Sequence, residues 1–159
     1  MLRTIDATVR KLTMRQEINS FEGLKGQMLK SAIVRRGDPD DYTDSDKVIF
    51  ELTDGRKFLL YHQHDGSESV NIDEIEGTID ADCLVDLVGE VLQAEETSNK
   101  DPHTEDASSK DSNAPLSATF TFYRIATGNG LVVIRWYGAS NGYYTESVDF
   151  EPMSTSGNQ

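Results

Sequence analysis

Residues 61–70, YHQHDGSESV, hold two histidines, an aspartate and a glutamate within eight positions. On an extended strand His62 and His64 share a face, and two imidazoles at that spacing can ligate one metal ion, with Asp65 or Glu68 adding an oxygen. The competing reading needs no metal. Asp65-Gly66 is a turn dipeptide whose polar side chain bonds to its own backbone, so the stretch also reads as a strand end closed by a loop. His103, the remaining histidine, lies far downstream in a polar stretch, and the single Cys83 excludes an intrachain disulfide and any multi-cysteine zinc site. We therefore expect scaffold here. The alternative is a metal-binding module or metal-dependent enzyme centred on His62, His64, Asp65 and Glu68.

Other chemistry is less specified. Asp73, Glu74, Glu76, Asp80, Asp82 and Asp86 form an acid-rich series, but hydrolysis by paired carboxylates needs two carboxyls in contrasting environments, and six clustered acids select no pair. Nucleophile-elbow, phosphate-loop, dinucleotide and zinc-protease signatures are absent, so no catalytic residue and no cofactor is expected. A second acid-rich stretch, GDPDDYTDSD, contributes Asp38, Asp40, Asp41, Asp44 and Asp46. Aromatics gather in IRWYGASNGYYTESVDF, where Tyr137 alternates with Trp136 and Tyr143 with Tyr144, so some of them must face away from the core. Exposed tyrosines are frequent anchors of protein interfaces.

Charge narrows the partners. The chain of 159 residues carries a net charge of −13. Residues 1–36 hold eight basic residues against three acids, a net +5, leaving seven against twenty-five, or −18, for the rest. Such a field repels phosphates and attracts basic surfaces, so a basic protein partner is expected and direct nucleic-acid binding is not. No run of about 18 apolar residues would span a bilayer, and LRTIDATVRK after Met1 lacks the apolar centre of a secretory leader. No membrane contact and a cytoplasmic location are the expectations.

The elements that would position these residues can be placed. In residues 1–20, Ile5, Val9 and Leu12 form one helical stripe, predicting an amphipathic N-terminal helix. Residues 21–153 are expected to form a single α+β domain. Its strands are MLKSAIVRR, KVIFEL, KFLLYH, EVLQAEE, ATFTFYRIAT, LVVIRWYG and YYTESVDFE. Asp54-Gly55 and Asn141-Gly142 are hairpin dipeptides. Between the two groups of strands, DADCLVDLVG reads as a short central helix capped by Asp80 and ended by Gly89. Residues 97–115 have almost no apolar side chains to offset ordering entropy and read as a mobile loop, and 154–159 as a flexible tail. The predicted fold is a strongly bent antiparallel sheet of about six or seven strands, half-barrel-like, with the two helices.

Three segments, FEGLKGQMLKSAIV, ELTDGRKFLLYHQHDGSESVNIDEIEG and IRWYGASNGYYTESVDFE, resemble a family of small uncharacterised proteins of bacteriophages and their bacterial hosts. The likeness covers roughly residues 21–96 and 117–151 and rests on Leu24 to Gly26, on Tyr61, His62, Asp65 and Glu68 to Val70, and on Arg135 to Gly138 with Ser140 to Tyr144. Many of those relatives carry a cysteine pair where this chain has Gly66-Ser67. The resemblance implies a phage or prophage origin and no activity. With the charge it points to a non-enzymatic, acidic counter-defence inhibitor of a basic host protein, such as a defence nuclease or another nucleic-acid-binding component. The expected binding residues are Asp38, Asp40, Asp41, Asp44, Asp46, Asp80, Asp82, Asp86, Tyr137, Tyr143 and Tyr144.

Overall fold

A computed structural model describes residues 17–41, 43–78, 84–102 and 116–154. Nine strands run through them: β1 (Met28–Arg35), β2 (Lys47–Leu52), β3 (Lys57–Tyr61), β4 (Ser69–Gly77), β5 (Gly89–Glu90), β6 (Gln93–Lys100), β7 (Ser117–Thr127), β8 (Gly130–Ser140) and β9 (Asp149–Pro152). They form two antiparallel sheets, one ordered β5-β1-β2-β3-β9 and the other β4-β8-β7-β6. Period-two patterning explains each half. Val48, Phe50 and Leu52 of β2 and Phe58 and Leu60 of β3 are buried on one sheet, and Tyr123, Ile125, Val132, Ile134 and Trp136 of β7 and β8 on the other. These side chains share one core, and each large one adds roughly 1.5–3 kcal/mol of burial.

A 3-10 turn, Phe21–Leu24, supplies a wedge between the sheets. The Phe21 ring meets Phe50 of one sheet at 5.9 Å and Tyr123 of the other at 4.8 Å, both edge to face. Asp54-Gly55 turns β2 into β3 with Gly55 at φ +94°, and β7 and β8 pair in register from Ser117↔Ser140 to Thr127↔Gly130. Trp136 Nε1 is buried with no hydrogen-bond partner among the described residues.

The α+β expectation is corrected to all-β, because no α-helix occurs among the described residues. The expected central helix fails where it can be seen. Leu84 has φ +53°, outside the helical region, residues 85–86 form a turn, and Gly89-Glu90 is already strand β5. Buried Leu84 and Leu87 gave the helical spacing, yet they serve a turn that tucks under the sheets. Residues 79–83, with Asp80, Asp82 and Cys83, and residues 1–16 of the expected N-terminal helix lie outside the described residues. Glu17–Ser20 are not helical.

One bent half-barrel sheet is likewise replaced by two. The overlooked strand is β4, whose period breaks at a bulge between Ile72 and Glu74, so the alternation of Val70 and Ile72 does not carry through to Ile75. The expected loop at 97–115 begins later, since β6 pairs with β7 as far as Lys100↔Thr119. Residues 103–115 and 155–159 lie outside the described residues. Phe120 and Phe122 share a face, as their spacing requires, but it is the outer one, where Arg135 sits 5.7 Å from the Phe120 ring and Phe120 packs on Tyr137 at 4.8 Å.

Candidate functional site

Three connections meet at one end of the sheets: the β1–β2 loop (36–46), the β3–β4 crossover (62–68) and the β8–β9 crossover (141–148). The two crossovers carry the chain between sheets in opposite directions and dock on one another. His62 Nδ1 lies 2.7 Å from the Ser147 carbonyl, the Gln63 amide donates to Asp149 at 2.9 Å, and Gly66 lies under the Tyr144 ring. A Cβ at Gly66 would fall 2.2 Å from that ring, so only glycine allows the contact.

Each crossover contains a buried glutamate. Glu68 is 1% exposed. Its carboxylate faces His62 Nε2 at 2.7 Å and accepts the Asp65 and Gly66 amides at 2.8 and 2.6 Å. Burial pushes the Glu68 carboxyl up, but the bonds from His62 and the two amides outweigh it and hold the group down at about 2. His62 thus has one ring nitrogen against the Ser147 carbonyl and the other against the Glu68 carboxylate, so both are engaged within the protein. His64 Nε2 stands 4.0 Å from Glu68 Oε1. Among the described residues no three histidine, cysteine, aspartate or glutamate side chains are grouped to hold a metal ion.

Glu146 is the counterpart. It accepts from Ser140 Oγ, from Thr119 Oγ1 at 2.7 Å and from Lys100 Nζ at 3.3 Å, and its backbone packs directly over Gly138. Burial raises this carboxyl, and the bonds from Ser140, Thr119, Ser117 and Lys100 more than reverse that. The sequence reading passed over Glu146, yet a signal was present: Glu-Ser-Val recurs at 68–70 and 146–148, and each glutamate bonds to the residue six positions before it, His62 or Ser140.

The aspartate loop is wired largely to itself. Asp46 is buried, accepts the Gly37 and Ile72 amides at 2.8 and 2.9 Å, and takes Arg36 at 3.2 Å, tying the loop to the bulge of β4. Asp44 accepts the Asp38 amide and Lys47, and these hold its carboxyl below the usual range. Thr43 does the same for Asp41. Asp38 accepts the Asp40 amide, and Asp40 is exposed. A cleft of about 360 Å³ lies against Asp38, Asp41, Asp44 and Asn71.

The remaining expected binding residues separate. Tyr143 projects from the same end, 84% exposed, with Tyr144 edge-on at 5.0 Å. Tyr137 is half-buried on the outer sheet face, with its hydroxyl 3.5 Å from Asp101. Asp86 is exposed at the opposite end, where its carbonyl accepts from Asn129 of the β7–β8 turn. Also missed was a cleft of about 400 Å³ between β6, β7 and the second crossover, lined by Glu96, Ser98, Lys100, Thr119, Tyr144 and Glu146 among others. Glu96 there accepts the Tyr123 hydroxyl at 2.7 Å, and the Tyr123 phenol is pushed up by burial first and by Glu96 second.

No helix among the described residues is long and apolar enough to cross a membrane. Neither the curated proteins nor the solved structures contain a match to the chain. Residues 10–150 match a domain of unknown function, DUF7448. The match spans both sheets, both crossovers and the aspartate loop, so the chain belongs to the DUF7448 family.

Proposed function

We propose that the protein is a non-enzymatic interaction module of phage origin. Its acidic loop end binds a basic, nucleic-acid-binding protein of the bacterial cytoplasm, such as a defence nuclease, and inhibits it. The observation that carries this reading is the pairing of Tyr143, 84% exposed beside Tyr144, with an end of the molecule rich in aspartate. A large amphipathic ring held in solvent at a loop tip suits an anchor, and surrounding carboxylates suit electrostatic steering of a basic partner. The polar atoms of His62 and Glu68 are engaged with one another and with the backbone of the two crossovers, which favours a binding role over a catalytic one.

The division of labour is testable. Asp40→Asn with Asp41→Asn should slow association and flatten its salt dependence, because neither side chain ties the loop to a sheet. Tyr143→Ala should speed dissociation, by ~2 kcal/mol or more if the ring is a hot spot. Capture from a host lysate in moderate salt, followed by kinetics on the purified partner, would measure both. Failure to enrich any basic nucleic-acid-binding protein over an equally acidic control would refute the proposal.

A further inference from the structure

Among the described residues the strand edges differ in length and cover, and besides β6 the outer side of β1 beyond Leu29 also lacks a second strand, although its register is broken between Leu29 and Ser31. β5 has two residues and β9 four, and the edge of β4 is bulged and bonded by the aspartate loop, with Asp46 accepting the Ile72 amide and Arg36 donating to the Ile72 carbonyl. β6 differs. It keeps an unbroken register with β7 over eight pairs, from Gln93↔Ala126 to Lys100↔Thr119, and on its other side no strand pairs with it among the described residues. Glu95 to Lys100 are six consecutive exposed residues. A long, straight, proline-free edge with one lysine at its end is a template for a further strand.

Side-chain direction adds chemistry to that template. Glu96, Ser98 and Lys100, at spacing two, point from β6 into the 400 Å³ cleft, whose far wall is the crossover carrying Glu146. Lys100 is held by Glu146 at 3.3 Å and by Ser117 at 3.1 Å. Two carboxylates against one ammonium leave the cleft net negative. A strand added to β6 would direct every second side chain to this side of the sheet.

We infer that the outer edge of β6 takes an added antiparallel strand from the partner, an extended basic segment that sets an arginine or lysine side chain in the cleft beside Glu96. This rests on the basic partner proposed above and names its recognition element. Backbone hydrogen bonds to β6 supply affinity, and the cleft supplies the preference for a cation.

The probe is the peptide acetyl-Thr-Arg-Val-Arg-Thr-Arg-Val-Thr-amide, compared with a version carrying Glu for Arg and with one N-methylated at alternate amides. Amide exchange by NMR on the full chain should show protection in Glu95–Lys100 on adding the first peptide and none with the other two. Glu96→Gln should weaken its binding about tenfold, one charge-assisted contact's worth. Protection mapping elsewhere, or equal binding of the N-methylated peptide, overturns the inference. A purified partner that binds but is not displaced by excess peptide overturns the β6 site and leaves the proposed function standing. A chain that captures the peptide at β6 but no basic protein does the reverse.

Discussion

The crossover at 62–68 seals its buried glutamate with an imidazole, whereas the one at 141–148 seals its own with hydroxyls and a lysine. The ring of His62 is fixed from both sides, by Glu68 and by the Ser147 carbonyl, so the first crossover is held by a rigid, fully desolvated pair. Around Glu146 the hydroxyls of Ser140 and Thr119 can rotate, and Lys100 is 62% exposed and screened by solvent. The sheets therefore have one crossover built for position and another built to tolerate change, and the tolerant one borders the cleft. His62 and Glu68, two members of the metal-site alternative, bond to each other and fasten the first crossover, and plain hydroxyls line the cleft beside the second.

Removing one member of each set should separate them most. Glu68→Ala leaves His62 buried against a cavity and should cost about 3–5 kcal/mol, the usual loss when one partner of a buried pair goes. Glu146→Ala should cost about 1–3 kcal/mol, because its hydroxyl donors can turn elsewhere. Urea denaturation of the two variants checks the order, and equal losses would erase the contrast. Acid should show it next. A carboxyl at about 2 in the folded chain and 4.5 unfolded contributes stability that is complete above pH 4.5 and disappears as pH falls through 2. The wild type should lose about 3 kcal/mol over that window, and Glu68→Gln should flatten that part of the pH profile more than Glu146→Gln does.

The contact between crossovers comes third. Gly66→Ala drives a methyl into the Tyr144 ring and should cost about 1–3 kcal/mol as overpacking. Tyr144→Ala in the same chain should recover part of that loss, and simple additivity of the two changes would mean that the ring does not sit on Gly66. Smallest is Tyr143→Ala. With its ring in solvent, the melting temperature should move by less than the equivalent of about 0.5 kcal/mol.

Much of the strand layout was legible. KVIFEL coincides with β2, and MLKSAIVRR, KFLLYH, ATFTFYRIAT and LVVIRWYG fall on β1, β3, β7 and β8, because each is an alternating run bounded by turn residues. Two physical effects hid the rest. A bulge in β4 breaks the period that reveals a strand, and Leu84 and Leu87 have helix-like spacing while the backbone at Leu84 turns the other way. Asn141-Gly142 does turn the chain, with Gly142 at φ +89°, but the chain leaves β8 for the opposite sheet, so YYTESVDFE is a strand only from Asp149. The roles of the acids were the least legible, since whether an aspartate faces solvent or an amide depends on where the loop folds. Asp46 spends its carboxylate on Ile72, far along the chain, and no local pattern announces that bond.

The Phe21 wedge has a counterpart at the other end of the chain. Phe150 of β9 stacks on Phe58 at 5.4 Å and meets Phe21 edge-on at 5.9 Å, so the first and last aromatic residues of the core touch. In kinetic terms this is a high-contact-order chain. Such topologies fold on the order of milliseconds to seconds, because distant segments must meet before their contacts reward the loss of entropy. During synthesis, β3 keeps a bare edge, His62 lacks its Ser147 carbonyl and Phe21 its Phe150 cover until residues 147–152 have emerged. Chains stalled before Val148 should therefore stay open to protease, and closure of the sandwich becomes one of the last events in making the protein.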